Sequence, residues 1–326
     1  MSRTVAERYF LDESLGTGPL GAVWRGREQD TSGFSRAVII KQLDAELAAN
    51  DAFMETLTAD CGALMDRPHP HVEGVLDVVR TGADAYLIVD PIDGPSLKAW
   101  VEACHAKGEP APWAQLIAIA ANTLHALHGL HSRTRPLTHG GIDPTSIRLD
   151  RSGVSVITRV GVAAACDAGG VGAEALRVRA PEGTRTPSAD VFAVGLLVYT
   201  VLAGASDTAL LPDDLRARLM AGKPVDLNLV RDDLPAVVLG AVERALQPNP
   251  SERFDSATQL ARSFELILRS LAQTTDAAAL AGHVAQLVPK KKKSSRLGAR
   301  KGLSTEETDQ LDIEELHRLS IENIKT

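Results

Sequence analysis

Four residues near the start of the chain form a pattern that can hold a phosphate group. Gly16, Gly18, Gly21 and Val23 follow the spacing G-x-G-x-x-G-x-V between two predicted strands, and Lys41 ends the next predicted strand. A glycine turn lets the backbone approach a bound group closely, and a lysine supplies positive charge for a phosphate. The pattern indicates a nucleotide-binding turn. The alternative is that the glycines serve only the turn between the strands.

A second stretch, THGGIDPTSIRLD over residues 138–150, has the outline of a catalytic loop. It follows an apolar helical stretch and precedes a predicted strand. The positions that would carry a proton acceptor or a metal ligand hold neither a carboxylate nor a basic residue. The stretch therefore raises the question of whether the loop has lost its chemistry.

The composition indicates a soluble globular protein of one large or two small domains. The chain has 326 residues, of which 44% are hydrophobic and 24% charged, and its formal net charge is −7. This charge does not favour nucleic-acid binding. Cys61, Cys104 and Cys166 are scattered without metal-ligand spacing, which predicts reduced buried thiols in a cytoplasmic protein.

The predicted elements change in kind along the chain. Strands and one helix dominate up to Pro95, and helices follow. The predicted helices cover residues 96–107, 112–131, 188–204, 212–221, 233–247 and 255–272, and a short strand pair covers 146–149 and 154–158. The pattern predicts an α+β protein with a small β-rich lobe and a larger helical lobe. The apolar run 191–205 is short for a membrane span and predicts a buried core helix.

The order of these motifs resembles the protein Ser/Thr kinase family in its bacterial form. Besides the glycine turn and Lys41, the landmarks are HGGIDPTS (139–146), RVG (159–161), APE (180–182), DVFAVG (190–195) and NPSERF (249–254). The resemblance covers about residues 8–272. It implies a bilobal kinase-like fold with an N-lobe over 8–92, a C-lobe over 93–272 and a helical extension over 273–288.

The resemblance also implies that catalytic groups are missing. A kinase needs a carboxylate to accept the substrate proton, and an Asp and an Asn to hold Mg²⁺. By alignment the base position is Gly141, and the metal positions are Ser146 and Arg159. We therefore expect a pseudokinase that is not an enzyme, with no metal and no cofactor. The alternative is a residual or atypical Ser/Thr kinase, in which Asp143 replaces the base; Asp143 otherwise orders the turn before Pro144.

The family pairs its strand lysine with a glutamate on the following helix, and here that position is Asp60. We expect a charge cluster of Lys41, Asp60 and Arg159 in the phosphate site. Nucleotide contacts would use the carbonyl of Asp90 and the N–H of Ile92, which makes ATP binding without Mg²⁺ a further alternative. The resemblance places Ile39 and Arg148 against adenine, where they oppose binding.

Three residues resemble architectural positions of the family. Glu182 and Arg253 resemble the pair that ties the activation segment to the helical lobe, and Asp190 resembles the residue that caps the catalytic-loop backbone. The segment 162–179 contains no Ser, Thr or Tyr. Activation by phosphorylation of that segment is therefore excluded.

The end of the chain has a different composition. Residues 289–303 read as a basic linker, and residues 304–326 as an amphipathic C-terminal helix. The tail is either a disordered solubilising segment, a basic contact to nucleic acid or anionic membrane, or a helix that docks a partner. We expect protein partners, such as an active kinase or a signalling protein, and no nucleic-acid ligand or membrane span. The sequence identifies neither the partner nor the oligomeric state.

Overall fold

The computed structural model describes residues 3–30, 33–171, 179–229 and 231–288. The predicted basic linker and C-terminal helix lie outside these residues, as does the stretch 172–178 of the predicted activation segment.

The first part of the chain is a six-stranded antiparallel sheet. Its strands are β1 (Arg3–Val5), β2 (Tyr9–Gly18), β3 (Gly21–Gln29), β4 (Ser35–Gln42), β5 (Val75–Thr81) and β6 (Asp84–Val89), in the order β1-β2-β3-β4-β6-β5. Side chains alternate across the sheet. Tyr86 and Ile88 of β6 pack in one apolar cluster, whereas Leu87 and Val89 pack in a second cluster on the other face.

Two helices lie between β4 and β5. They are α1 (Ala45–Ala48) and α2 (Asp51–Asp66). Asn50 caps the N-terminus of helix α2, since its side chain accepts a hydrogen bond from the Phe53 N–H at 3.0 Å. Its buried residues Phe53 and Leu57 recur at helical spacing and face the second cluster of the sheet. The helical spacing of the apolar residues thus favours a helix and determines which of its faces packs against the sheet.

Helices dominate the rest of the chain. They are α3 (Leu97–His105), α4 (Trp113–His131), α5 (Val162–Gly169), α6 (Pro187–Leu202), α7 (Asp213–Met220), α8 (Ala236–Ala245), α9 (Ala257–Ser270) and α10 (Ala277–Leu287). Short 3-10 turns cover Thr208–Leu210, Leu227–Leu229 and Pro250–Glu252. Strands β7 (Ile147–Leu149) and β8 (Ser155–Ile157) form an antiparallel pair. The predicted α+β architecture, with a β-rich first part and a helical second part, is confirmed.

Helix α6 contains the most apolar run of the chain. Every residue from Ala189 to Leu202 is buried, so the helix is surrounded by protein on all sides. Among the residues that the structure describes, no helix combines the length and the apolar character that crossing a bilayer requires. Cys61, Cys104 and Cys166 are buried free thiols. Burial raises the pKa of Cys61 to about 12, so this thiol is chemically quiet.

The structure adds three elements that the sequence does not predict, namely β1, α1 and α5. Helix α5 lies between two glycines with left-handed backbone, Gly161 (φ 87°) and Gly170 (φ 59°). Those glycines let a short alanine-rich helix form where the sequence suggests only an activation segment. The residue boundaries of the lobes and of the extension stay predictions.

Candidate functional site

The glycine turn joins β2 and β3. The two strands pair up to Gly18 opposite Gly21, and Val23 of β3 pairs with Lys41 of β4. Gly21 has a φ of +127°, and a Cβ there would lie 2.4 Å from the Gln42 carbonyl oxygen. Gly16 has a φ of +104° but open space around it. Gly21 is therefore required by the fold itself, whereas Gly16 is required only by its backbone conformation.

The partner of Lys41 is Glu73, a residue that the sequence analysis does not identify. The Lys41 Nζ donates to both carboxylate oxygens of Glu73, at 2.7 and 2.8 Å. The two side chains are 15% and 11% exposed. The sequence gives only a weak signal for Glu73, because it is one of two acidic residues in the stretch HVEGVLDV. Glu73 therefore holds the ammonium group of Lys41 in a fixed position.

The predicted cluster of Lys41, Asp60 and Arg159 is wrong. Asp60 is buried on α2, where its carboxylate lies 3.0 Å from the guanidinium of Arg135. Burial raises the pKa of Asp60, although the positive charge of Arg135 acts in the opposite direction. Arg159 has left-handed backbone, with a φ of 68°, and pairs with Asp143. The three charges therefore belong to three separate ion pairs, because each has a nearer partner of opposite sign.

The loop after α4 is held by one carboxylate. Asp190 accepts hydrogen bonds from the backbone N–H groups of His139 and Gly140, at 2.9 and 2.8 Å, and lies 2.9 Å from the ring of His131. The ring of His139 donates to the Thr158 carbonyl at 2.8 Å. Burial lowers the pKa of His139, although the charge of Asp190 acts against this shift. These contacts fix the backbone next to Gly141.

Asp143 is the carboxylate of this loop. Its Oδ1 lies 2.6 Å from both N and Oγ1 of Thr145, 2.8 Å from the Ser146 N and 2.8 Å from Nη2 of Arg159. The Ser146 hydroxyl donates to the Asp143 carbonyl at 2.7 Å, so Ser146 closes the same turn. Asp143 therefore orders the turn as predicted, and its side chain stays 17% exposed.

By the resemblance to the kinase family, Gly140 occupies the position of an arginine that would bind an activation-segment phosphate. A Cβ at Gly140 would lie 2.9 Å from Cδ of Arg185, so the stem of Arg185 occupies this space. The Arg185 Nε donates to Asp167 at 2.7 Å, and Arg179 donates to the same carboxylate. Burial would raise the pKa of Asp167, but the hydrogen bonds from the two arginines lower it. The carboxylate of Asp167 thus binds the guanidinium groups of both Arg179 and Arg185.

Ile39 and Arg148 are the two residues predicted to oppose adenine binding. Ile39 is partly buried in β4. Arg148 donates from Nη2 to the Gly94 carbonyl, so its guanidinium is tied down rather than free. Burial lowers the pKa of Arg148, whereas the charge of Glu73 raises it.

The segment 90–92 connects the two lobes. The Asp90 N–H donates to the Gly74 carbonyl at 2.8 Å, and the Ile92 carbonyl accepts from the Gly94 N–H at 3.1 Å. These are not the groups predicted to contact a nucleotide, which are the carbonyl of Asp90 and the N–H of Ile92. These hydrogen bonds within the protein therefore involve the other backbone groups of Asp90 and Ile92.

Glu182 and Arg253 form a two-bond ion pair. The guanidinium donates to the two carboxylate oxygens at 2.7 and 2.8 Å. The Arg253 side chain has no exposed area, and it also donates to the carbonyls of Gln247 and Pro248 at 2.6 and 2.9 Å. Burial would raise the pKa of Glu182, but the hydrogen bond from Arg253 lowers it. The structure thus places the predicted architectural pair in direct contact.

The residues at the two metal positions do not fit a divalent cation. Ser146 offers a hydroxyl that is already used inside the turn, and Arg159 brings a positive charge. Mg²⁺ prefers carboxylate and carbonyl oxygens. Within residues 3–288, apart from the stretches that are not described, no group of three or more His, Cys, Asp or Glu could hold a metal. No chemical step is therefore assigned to a metal held by this chain.

Known proteins similar to this chain are protein kinases. A family model described as "Protein kinase domain" matches residues 9–262. The chain is 29% identical over 293 residues to serine/threonine-protein kinase PkaA of Streptomyces coelicolor, a match that covers 82% of this chain and 51% of PkaA. It is 26% identical over 284 residues to PknL of Mycobacterium bovis, covering 83% of this chain and 68% of PknL. The chain thus spans about half the length of PkaA.

The solved kinase domain of PknI from Mycobacterium tuberculosis has the same fold. The superposition with a single-residue mutant of that domain has a TM-score of 0.64 at 24% identity, and it covers 81% of this chain and 97% of that structure. The superposition with the PknI kinase domain without a stated mutation has a TM-score of 0.63, also at 24% identity, and covers 81% and 98% of the two chains. At this identity the similarity establishes the fold alone.

These matches correct two predictions. The prediction that the chain is not an enzyme is wrong, because the proteins that it matches are named serine/threonine protein kinases. The prediction that no cofactor is expected is wrong for the same reason, since this family uses ATP with a divalent cation. The comparisons do not support the narrower prediction of a pseudokinase. Because the family model spans well over half of its residues, the chain belongs to the protein kinase family, in its bacterial serine/threonine form.

Proposed function

We propose that this chain is an atypical Ser/Thr protein kinase, which transfers the γ-phosphoryl group of ATP to a protein hydroxyl. Its rate is low because Gly141 provides no side chain at the family's base position. The observation that carries the proposal is the placement of Asp143. Its carboxylate is anchored through Oδ1 and partly exposed, in a loop whose backbone Asp190 holds.

In this proposal Asp143 is the general base. The hydroxyl oxygen of the substrate forms a bond to the γ-phosphorus while the bond between that phosphorus and the bridging oxygen of ADP breaks. ADP leaves with the electron pair, and Asp143 accepts the hydroxyl proton. A positioned base of this kind typically contributes a factor of roughly 10²–10⁴ to a rate.

Two cations of the chain face the phosphates in this proposal. Lys41 is fixed by Glu73, and Arg159 is 13% exposed beside Asp143. Guanidinium groups bind phosphate oxygens through paired hydrogen bonds, so Arg159 suits a phosphate better than a metal ion. ATP enters as the donor substrate of the family, normally as its Mg²⁺ complex, and the chain contributes the cationic groups.

The experiment is a phosphate-incorporation assay with radiolabelled ATP and either Mg²⁺ or Mn²⁺. The substrates are the chain itself and a generic protein substrate. Asp143→Asn keeps an Oδ1 acceptor for the turn but removes the base, so incorporation should fall by a factor of roughly 10²–10⁴. Asp150→Asn is the matched control, because Asp150 accepts from Ser152 in the next turn and should be dispensable. The proposal would be contradicted if the natural chain incorporated no more phosphate than a folded Lys41→Ala variant.

A second candidate is an ATP-binding regulator of a protein partner. Gly141 favours it, because nucleotide binding does not need a base whereas transfer does. In that case ATP at about one hundred times its Kd stabilises the chain by roughly 2.7 kcal/mol, while phosphate incorporation stays at background. A melting-temperature titration together with the incorporation assay separates the two candidates.

The match to PkaA covers 51% of that protein. The substrate, the partners and the cytoplasmic location of this chain are therefore proposals. The tail predictions also stay predictions. Deletion of residues 289–326 should leave the kinase-like fold intact and weaken partner binding, with sensitivity to salt if the basic linker takes part. Unchanged binding after the deletion would favour the solubilising role.

A further inference from the structure

Lys41 receives its carboxylate partner from the lead-in to strand β5, and not from helix α2. Both oxygens of Glu73 accept from Nζ of Lys41, at 2.7 and 2.8 Å. The acidic residue at the family's position on α2 is Asp60, and it is buried against Arg135. The lysine–carboxylate pair is thus present, but its carboxylate belongs to a different structural element.

We infer that Glu73 is the positioning residue for Lys41, and that the placement of Lys41 does not depend on the position of helix α2. The inference deepens the proposed function, and its consequence for ATP rests on that proposal. A kinase whose lysine partner lies on the helix can be switched by moving the helix. In this chain the same movement would leave the ion pair of Lys41 intact.

The backbone of Glu73 is tied to the catalytic side of the cleft. Its N–H donates to the Ile157 carbonyl of β8 at 2.8 Å, and Val72 forms a parallel bridge with Ile157. The residue that follows β8 is Thr158, whose carbonyl accepts from the ring of His139. The carboxylate that holds Lys41 is therefore attached to the strand that supports the catalytic loop.

Helix α2 makes its polar contacts elsewhere. The side-chain amide of Asn50 donates to the Gly169 carbonyl at the end of α5, at 2.8 Å. Further along α2, Asp60 faces Arg135, and the Cβ that Gly161 lacks would lie 3.0 Å from Cβ of Asp60. Helix α2 is thus in contact with the segment from Gly161 to Gly169, and its residue Asp60 pairs with Arg135 and not with Lys41.

Glu73 also lies near a second cation. Its charge acts on Arg148, whose guanidinium is tied to the Gly94 carbonyl on the floor of the cleft. The carboxylate therefore pairs directly with Lys41, and its charge also acts on Arg148. Removal of the Glu73 charge would release Nζ of Lys41 from both hydrogen bonds.

The test measures the reactivity of Lys41 in the full chain without nucleotide. An amine-reactive succinimidyl ester is applied at pH 8, and acylation of Nζ is followed by peptide mass spectrometry. Glu73→Gln should raise the acylation rate about tenfold, a change that corresponds to about 1.4 kcal/mol. Glu73→Asp keeps a carboxylate and should restore a rate near that of the natural chain. Asp60→Asn and Asn50→Ala, which alter the contacts of α2, should each change the rate less than about twofold.

An unchanged rate in Glu73→Gln, or an equal increase in Asp60→Asn or Asn50→Ala, would overturn the inference. If Glu73→Gln is too unstable to label, a double-mutant cycle by urea unfolding replaces it. Lys41→Met combined with Glu73→Ala, which removes the carboxylate, should be non-additive, whereas Lys41→Met combined with Asp60→Asn should be additive. Additivity in the first cycle contradicts the inference.

The acylation assay also separates this inference from the proposed function. Millimolar ATP should protect Lys41 of the natural chain from acylation if nucleotide binds in the cleft. Absence of protection counts against the proposed function alone, because the effect of Glu73→Gln is measured without ATP.

Discussion

The Asp143 carboxylate lies 2.8 Å from the guanidinium of Arg159, so the loop's carboxylate and the cation at the family's metal position form one ion pair. Without substrate, each charge of the pair is balanced by its partner. It explains how an arginine is accommodated at this position without leaving an unpaired charge. The proposed base, Asp143, therefore already has an ion-pair partner before substrate binds.

Restoring a carboxylate at position 141 should raise phosphotransfer. Gly141→Asp supplies a base on the loop backbone that Asp190 fixes, and the incorporation rate should increase by up to roughly 10²–10⁴. Gly141→Asn is the matched control, because it has the same size without the basicity. Equal rates in the two variants would show that proton transfer does not limit the reaction.

Loss of the buried pair between Glu182 and Arg253 should strongly destabilise the helical lobe. Arg253→Met leaves Glu182 without its cation and the carbonyls of Gln247 and Pro248 without their donor. Breaking a buried ion pair costs about 3–5 kcal/mol of unfolding free energy. The control is Arg269→Met, since Arg269 is 71% exposed and its pair with Glu265 should contribute less than about 1 kcal/mol. Urea unfolding measures both, and similar losses would contradict the structure.

Two glycines should respond in opposite ways to alanine. Gly21→Ala places a Cβ 2.4 Å from the Gln42 carbonyl at a φ of +127°, so the variant should lose about 1–3 kcal/mol of stability. Gly240 lies inside α8 with open space around its Cα, and Gly240→Ala should gain about 0.5–1 kcal/mol from helix propensity. Thermal unfolding provides the comparison. A destabilised Gly240→Ala would mean that this face of α8 is in contact with something.

Stability should fall as the pH drops below about 6.5, and His139 should contribute. Burial lowers the pKa of His139 in the folded chain from its ordinary value of 6.5. The unfolded chain therefore binds a proton at a pH where folded His139 does not, so protonation favours unfolding. The lowered pKa values of Asp167 and Glu182 act in the same direction, but below their ordinary values of 3.8 and 4.5.

The measurement is the urea unfolding free energy between pH 7.5 and 5. His139→Asn should reduce the slope in this range by up to about 1.4 kcal/mol per pH unit. At pH 7.5 His139 is mainly neutral in both the folded and the unfolded chain. The difference in unfolding free energy between the natural chain and His139→Asn at that pH therefore gives the effect of the substitution apart from protonation. An unchanged slope would mean that another histidine carries the dependence.

Secondary structure could be predicted well wherever the apolar pattern is long. The predicted helix over 112–131 is Trp113–His131 in the structure, and the predicted strand pair is Ile147–Leu149 with Ser155–Ile157. Periodicity indicates such elements because one face of each must be buried. Helix α5 has eight residues within a stretch of small residues, so its pattern is too short to show a period.

The sequence by itself determined which residue types occupy the cleft. The order of the motifs predicts Gly141, Ser146 and Arg159 at the catalytic positions and Lys41 near the glycine turn, and the family on whose resemblance this prediction rests is the one that the chain belongs to. What the sequence did not determine is which opposite charges meet. Lys41 pairs with a residue 32 positions away, and Arg159 with one 16 positions away. Several carboxylates lie at comparable separations along the chain, and only the packing of α2 against α5 and of the lead-in to β5 beside β8 decides the pairs. Coulomb attraction depends on distance in space, and that distance follows from the tertiary structure.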